Sequence, residues 1–199
     1  VSGDLSAAYV YRGRKDEVSR EDICSRFGWD HTKPLICVYA SNWFDFPHSC
    51  NMENFRDFRD WIDATLTAAH DIDSVNWLFK PHPCDDWYGA VRGPTVADLV
   101  TGADSTQIQL VDPAWNGLAL MHAIDGAVTY YGTIGIEMTA IGKPALTADR
   151  GWYTERLSRV AGTGLVDKTG CRDRSVTRPG IHRLVFLRCG VAWRLPLPG

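Results

Sequence analysis

From residue 33 onward, short apolar runs alternate with amphipathic stretches, and this alternation limits the folds open to the chain. Residues 35–40, 75–79, 108–111, 127–130 and 145–148 have strand length. The first is continuously apolar, as expected of a central parallel strand covered on both faces. In residues 54–70, Phe55, Phe58, Ile62, Leu66 and Ala69 recur at three- and four-residue intervals, while Arg56, Asp57, Arg59, Asp60 and Asp63 lie largely elsewhere. That pattern predicts a surface helix laid on a sheet, with a solvated charged face. Shorter helices are expected at 95–100, 115–123 and 134–141. Repeated β-then-α units predict an α/β fold with a doubly wound, Rossmann-like parallel sheet.

Residues 125–153 carry the most distinctive turn. An apolar, β-prone run over 127–130 passes through Tyr131, Gly132 and Thr133 into the amphipathic stretch 134–141. Gly142 then sits where a helix C-cap glycine belongs, Pro144 follows, and a further strand is expected. A polar, glycine-containing turn at a strand-to-helix switch suits an anion. Unpaired N–H groups at the helix start, the Thr133 hydroxyl, and the small Gly132 and Gly135 would let a phosphate approach the main chain. Glu137, one turn on, could take ribose hydroxyls. The structural alternative is a helix with an ordinary N-cap Thr133 and a dipole-favoured Glu137.

Two other strand ends attract candidates. After 35–40 comes a polar and aromatic loop in which Ser41, Asn42 and Asp45 stand at a parallel strand's carboxyl end, where open α/β sheets bind ligands. Residues 75–79 run into Lys80-Pro81-His82-Pro83, where two prolines stiffen the loop and present the imidazole rigidly, as a phosphate donor requires. His122 reads as a helix-face residue instead.

The chain's 199 residues are enough for a real core, and the expectation is one main domain. Ser19 and Asp22 resemble a capping box opening a short connector helix that Gly28 would close. The first residue is Val1 and no charged-plus-apolar leader precedes the domain, so the sequence reads as a processed or excised piece. No apolar run approaches the roughly 20 residues that span a bilayer, so an integral membrane protein is not expected. A net charge of −3 shows no basic excess, and nucleic acid is not an expected partner. Six scattered cysteines without a C-x-x-C pair fit a reducing compartment, hence the cytoplasm. His48-Ser-Cys50 and His82-Pro-Cys84 match no common zinc spacing, and Asp85-Asp86 makes no convincing metal motif, so neither metal nor cofactor is expected.

Residues 172–199 hold six arginines and one aspartate, a net +5 against −8 for the remainder. This tail reads either as a basic arm for peripheral association with anionic lipid at the inner membrane face, or for acidic glycan, or as a stretch of no functional design. Its lack of periodicity favours the last.

Phe79-Lys-Pro-His-Pro83, Tyr131-Gly-Thr-Ile-Gly-Ile-Glu137 and Gly142-Lys-Pro144, taken in that order, make residues 33–155 resemble the bacterial capsule polysaccharide biosynthesis family. Those proteins are glycosyltransferases of the two-Rossmann (GT-B) type, related to Kdo and sialic-acid transferases that use CMP-activated sugars. The resemblance implies one half of a GT-B architecture, the carboxyl-terminal domain that grips the donor. It makes His82 the catalytic candidate, contacting donor phosphate, with Thr133 doing likewise and Glu137 near the ribose. Ser41, Asn42, Lys80, Tyr131, Gly132 and Gly135 complete the expected substrate-binding set.

The expected division is a connector at 1–32, a nucleotide-sugar-binding domain at 33–166 and the basic tail at 167–199. Thirty-two residues cannot hold an amino-terminal Rossmann domain, so that half is an expected partner, beside a nucleotide-sugar donor and a glycan or glycolipid acceptor. The helices that normally close such a domain are not evident after Val166. Alternatives of related fold are a CDP-polyol phosphotransferase and a UDP-sugar 2-epimerase; from another class, a non-catalytic nucleotide-binding module.

Overall fold

A computed structural model describes residues 16–44, 52, 54–85 and 93–149. Asp45, His48, Cys50, Asp86 and the tail at 167–199 lie outside the described residues.

The alternation folds as the sequence pattern predicts. In chain order the elements are α1 (Arg20–Phe27), β1 (Leu35–Tyr39), α2 (Phe58–His70), β2 (Asn76–Lys80), α3 (Val96–Gly102), β3 (Ile108–Leu110), α4 (Gly117–Ala123), β4 (Gly126–Thr129), α5 (Ile134–Ala140) and β5 (Ala145–Thr147). The five strands form one all-parallel sheet in the order β3-β2-β1-β4-β5, an α/β Rossmann-like arrangement. The chain steps outward from β1 to β3, then crosses back to β4 on the other side of β1. That reversal opens a crevice between the carboxyl ends of β1 and β4.

Helices cover both faces, which is why β1 needs no polar side. Ile36 and Val38 join Trp77, Phe79 and Val128 in the layer beneath α2 and α3. Leu35 and Cys37 join Leu78 and Ala127 in the layer beneath α1, α4 and α5. The helix read as a connector packs into this second layer, with Ile23 fully buried. Its Arg20 donates to the carbonyls of His31 and Lys33 and, at 2.6 Å, to Asp125. The same Asp125 oxygen accepts the Leu35 N–H at 2.7 Å, and the Asp125 N–H donates to the Leu35 carbonyl at 2.8 Å. These bonds join the amino ends of β1 and β4.

Caps explain the helix limits. The Ser19–Asp22 capping box forms as expected, and a second links Thr95 and Asp98 at α3. The helix expected from residue 54 begins at Phe58, because the Asp57 side chain accepts the Asp60 N–H and so sets the N-cap there. Asn116 likewise starts α4 two residues later than the pattern predicts, its side chain accepting from Leu118 and Ala119. Gly142, with φ +77°, ends α5. Its N–H bonds the Thr139 carbonyl and that of Lys143 bonds Met138, the Schellman pattern that a left-handed glycine permits. Among the described residues no helix is long and apolar enough to cross a membrane.

The two capping boxes carry a pH signature. The Ser19 hydroxyl and then its N–H hold the Asp22 carboxyl below the ordinary aspartate value of 3.8. The Thr95 N–H and then its hydroxyl do the same for Asp98. Their contribution to stability is complete above that value and is lost as pH falls through the lowered folded-state values. Replacing both acids (Asp22→Asn with Asp98→Asn) is expected to flatten the fall of the urea midpoint between about pH 5 and pH 3, as measured by fluorescence-monitored unfolding.

Candidate functional site

Strand order brings three of the predicted loops to one edge of the sheet. The loop after β1 carries Ser41 and Asn42, the loop after β2 follows Lys80 into His82, and the turn after β4 carries Tyr131, Gly132 and Thr133. All three leave carboxyl ends of neighbouring strands, flanking the crevice between β1 and β4. Glu137 stands one turn into α5 and is exposed, as is Thr133.

Register adds a feature that periodicity does not reveal. Lys80 is level with Tyr39, Tyr39 with Thr129, and Thr129 with Thr147. Level residues on parallel strands share a face. One pleat earlier on this face the row is Leu78, Cys37, Ala127 and Ala145, all apolar or thiol and all in the layer beneath α4 and α5. The apolar layer therefore ends in a row of one ammonium and three hydroxyls at the crevice. The Lys80 Nζ lies 5.5 Å from the centroid of the Tyr39 ring, and 3.8 Å from where a β-carbon on Gly117 would sit. Its charge thus reaches the start of α4.

His82 is half-buried between its two prolines. The Cys84 N–H donates to its Nδ1 at 3.2 Å, and the Asp85 N–H donates to its carbonyl at 3.1 Å. A backbone N–H on Nδ1 leaves no place for a proton there, so the neutral ring carries its proton on Nε2 and can donate from that atom. The rigid loop thus also sets the tautomer.

The turn after β4 differs from expectation in two ways. Thr133 stands at the N-cap position of α5 without capping it: its backbone is helical, with φ −56° and ψ −21°, and its side chain makes no capping bond. The main-chain N–H groups are mostly taken. Gly132 donates to the Thr129 Oγ1, Gly135 to the Gly132 carbonyl, and both Ile136 and Glu137 to the Thr133 carbonyl. An anion at this turn would meet side chains more than main chain. Gly132 also has a steric reason to lack a side chain, since a β-carbon would lie 2.8 Å from the Thr129 Oγ1. Gly135 is buried inside α5, and Tyr131 stacks edge-on against Tyr130 at 4.9 Å and Phe58 at 5.9 Å. Asn42 is buried and accepts the Phe44 N–H within its own loop.

Lys143, the middle residue of the Gly142-Lys-Pro144 motif, serves the scaffold. Its Nζ donates to the carbonyls of Met121, His122 and Ile124 at the end of α4, complementing that helix's negative pole. Burial lowers its pKa from the ordinary lysine value.

Sequence reasoning passed over several residues at this edge. Tyr39 hides inside an apolar run. Asp149, two residues beyond β5, is buried and accepts from the Tyr130 hydroxyl at 2.7 Å and from Asn54 at 3.2 Å. Only a polar residue ending a strand could have signalled either one. A groove of about 580 Å³ runs along the outer strand β3, lined by residues including Arg26, Val100, Gln109 and Asp112, and none of the candidate residues borders it. Among the described residues no cluster of His, Cys, Asp or Glu is arranged to hold a metal ion. No protein-family model matches the chain, and no curated protein matches it significantly.

Two substitutions separate scaffold from site. Gly132→Ala forces the buried Thr129 to shift and is expected to cost about 1–3 kcal/mol, read as a lowered urea midpoint; adding Thr129→Ala should recover part of that loss. Lys143→Met leaves three carbonyls without their donor and is expected to cost about 1–2 kcal/mol, again read as a lowered urea midpoint.

Proposed function

We propose that this chain is the donor-binding domain of a glycosyltransferase, gripping a nucleotide-activated sugar, CMP-linked in the first instance, whose sugar passes to a bacterial surface polysaccharide or glycolipid. The observation that supports this reading is the convergence of Lys80, His82, Thr133 and Glu137 on one sheet edge, around the crevice of a β3-β2-β1-β4-β5 sheet. Two of these groups donate to or attract anions, one adds a free-standing hydroxyl, and the exposed carboxylate can accept from a vicinal diol.

The chemistry follows from where charge develops. When the bond between the sugar's anomeric carbon and the phosphate oxygen breaks, the phosphate keeps the electron pair and gains negative charge. The Lys80 ammonium, the Nε2–H of His82 and the Thr133 hydroxyl would stabilise that charge. The acceptor hydroxyl attacks the anomeric carbon as that bond breaks and loses its proton to a general base, which an acceptor-binding Rossmann domain of the GT-B type would supply.

Calorimetric titration of residues 1–199 with CMP, CDP, UDP and GDP tests the reading. The cytidine nucleotides are expected to bind best, and His82→Ala and Thr133→Ala are each expected to weaken them about tenfold. A preference for UDP would move the reading to an epimerase of related fold, and a preference for CDP over CMP to a CDP-polyol transferase. Absence of binding by the folded domain, or binding indifferent to both substitutions, contradicts it.

A further inference from the structure

Tyr39 stands out in the polar row at the crevice. Its ring is partly covered, its hydroxyl oxygen is wholly buried, and among the described residues no nitrogen or oxygen completes a hydrogen bond to that oxygen. The Cys37 thiol, one pleat deeper on the same face, lies within hydrogen-bonding reach of the phenol, but a thiol is a weak donor and a weak acceptor. Burial pushes that thiol up to about 12, so it stays protonated. A buried hydroxyl with only a thiol for a partner is poorly compensated for its lost hydration, and phenylalanine would fill the same space without that cost. A group held at a loss at the carboxyl edge of an α/β sheet points to a partner that is not protein.

The surroundings define that partner. The Lys80 ammonium lies over the ring, and the Glu137 carboxylate acts on the phenol from the start of α5. Burial first, then Cys37 and Glu137, raise the phenol's pKa well above the usual tyrosine range, so the group keeps its proton and can only donate or accept as a neutral hydroxyl. Lys80 is also the flexible part of the cover over the ring. A lysine has four rotatable side-chain bonds, and swinging the ammonium toward an anion would expose the phenol beside it.

We infer that the Tyr39 hydroxyl donates a hydrogen bond to a phosphate of the bound nucleotide, side by side with Lys80, an assignment that rests on the nucleotide reading above. The ligand thereby gives the hydroxyl the strong acceptor that the Cys37 thiol does not supply. Tyr39 becomes a binding residue in its own right, contributed by β1 rather than by any of the loops.

Tyr39→Phe in residues 1–199 provides the test through two readouts. One is thermal unfolding without ligand; the other is calorimetric affinity for CMP and for inorganic pyrophosphate. The expected result is an unchanged or higher melting temperature together with an affinity about tenfold weaker for both probes. A lowered melting temperature would make the hydroxyl a structural group and overturn the assignment. Unchanged affinities beside measurable wild-type binding would overturn it alone and leave the nucleotide reading standing. A loss confined to CMP, with pyrophosphate unaffected, would move the phenol to the nucleoside and also contradict it. Failure of the wild-type protein to bind either probe would overturn the nucleotide reading and this assignment together.

Discussion

The pairing of β1 with β4 is the contact on which the rest of the domain depends. It places the two halves of the sheet side by side and creates the reversal of strand order that opens the crevice. Both ends of the pair are fixed by groups far apart in sequence. At the amino end, Asp125 exchanges backbone and side-chain bonds with Leu35 and draws in Arg20 from α1. At the carboxyl end, Tyr130 leaves the ladder and enters an aromatic cluster. Its ring meets Phe55, Phe58, Trp61 and Tyr131 at centroid distances from 4.9 to 6.0 Å, all steeply inclined. Such edge-to-face contacts add about 0.5–1.5 kcal/mol each beyond burial. They hold α2 against β4, and the bond from Tyr130 to the buried Asp149 extends the clamp to β5. The turn from Tyr131 to Thr133 starts from this fixed point.

The candidate site is built mainly from side chains. The turn after β4 resembles a phosphate-binding strand-to-helix switch in sequence, yet most of its N–H groups close on its own carbonyls and on Thr129. The apolar layer ends at the crevice in the row Lys80, Tyr39 and the buried Thr129, with His82 on the next loop and Glu137 on α5. A lysine and an imidazole with a fixed tautomer can meet an anion without help from a helix pole. Selectivity for one nucleotide would then depend on the position of a few side chains, each held by strand register or by proline.

Much of the fold was legible because burial on both faces leaves a plain signature. Strands such as 35–39 read as unbroken apolar runs, α2 as a three-and-four repeat, and Gly142 as a helix end. The start of α2 was not legible, because Asp57 at the N-cap and Asp60 three residues later look like any other charges on a helix face. The site was legible at the level of loops. His82 and Thr133 stand out through neighbouring prolines and glycine, so they could be named from local sequence. Tyr39, Thr129 and Asp149 acquire meaning only through partners on other strands, and Lys143 through carbonyls 19 to 22 residues away. Gly132 was legible as a small residue but not for its reason, which is the Thr129 side chain beside it.

The most direct test of a ligand site at the crevice is a map of amide chemical shifts in isotopically labelled protein titrated with CMP. The account predicts that perturbations gather at the residues following β1, β2 and β4, namely Ser41 to Phe44, Lys80 to Asp85, and Thr129 to Glu137. Perturbations gathered instead along β3 and its groove, or at the amino ends of the strands near Asp125, would contradict it.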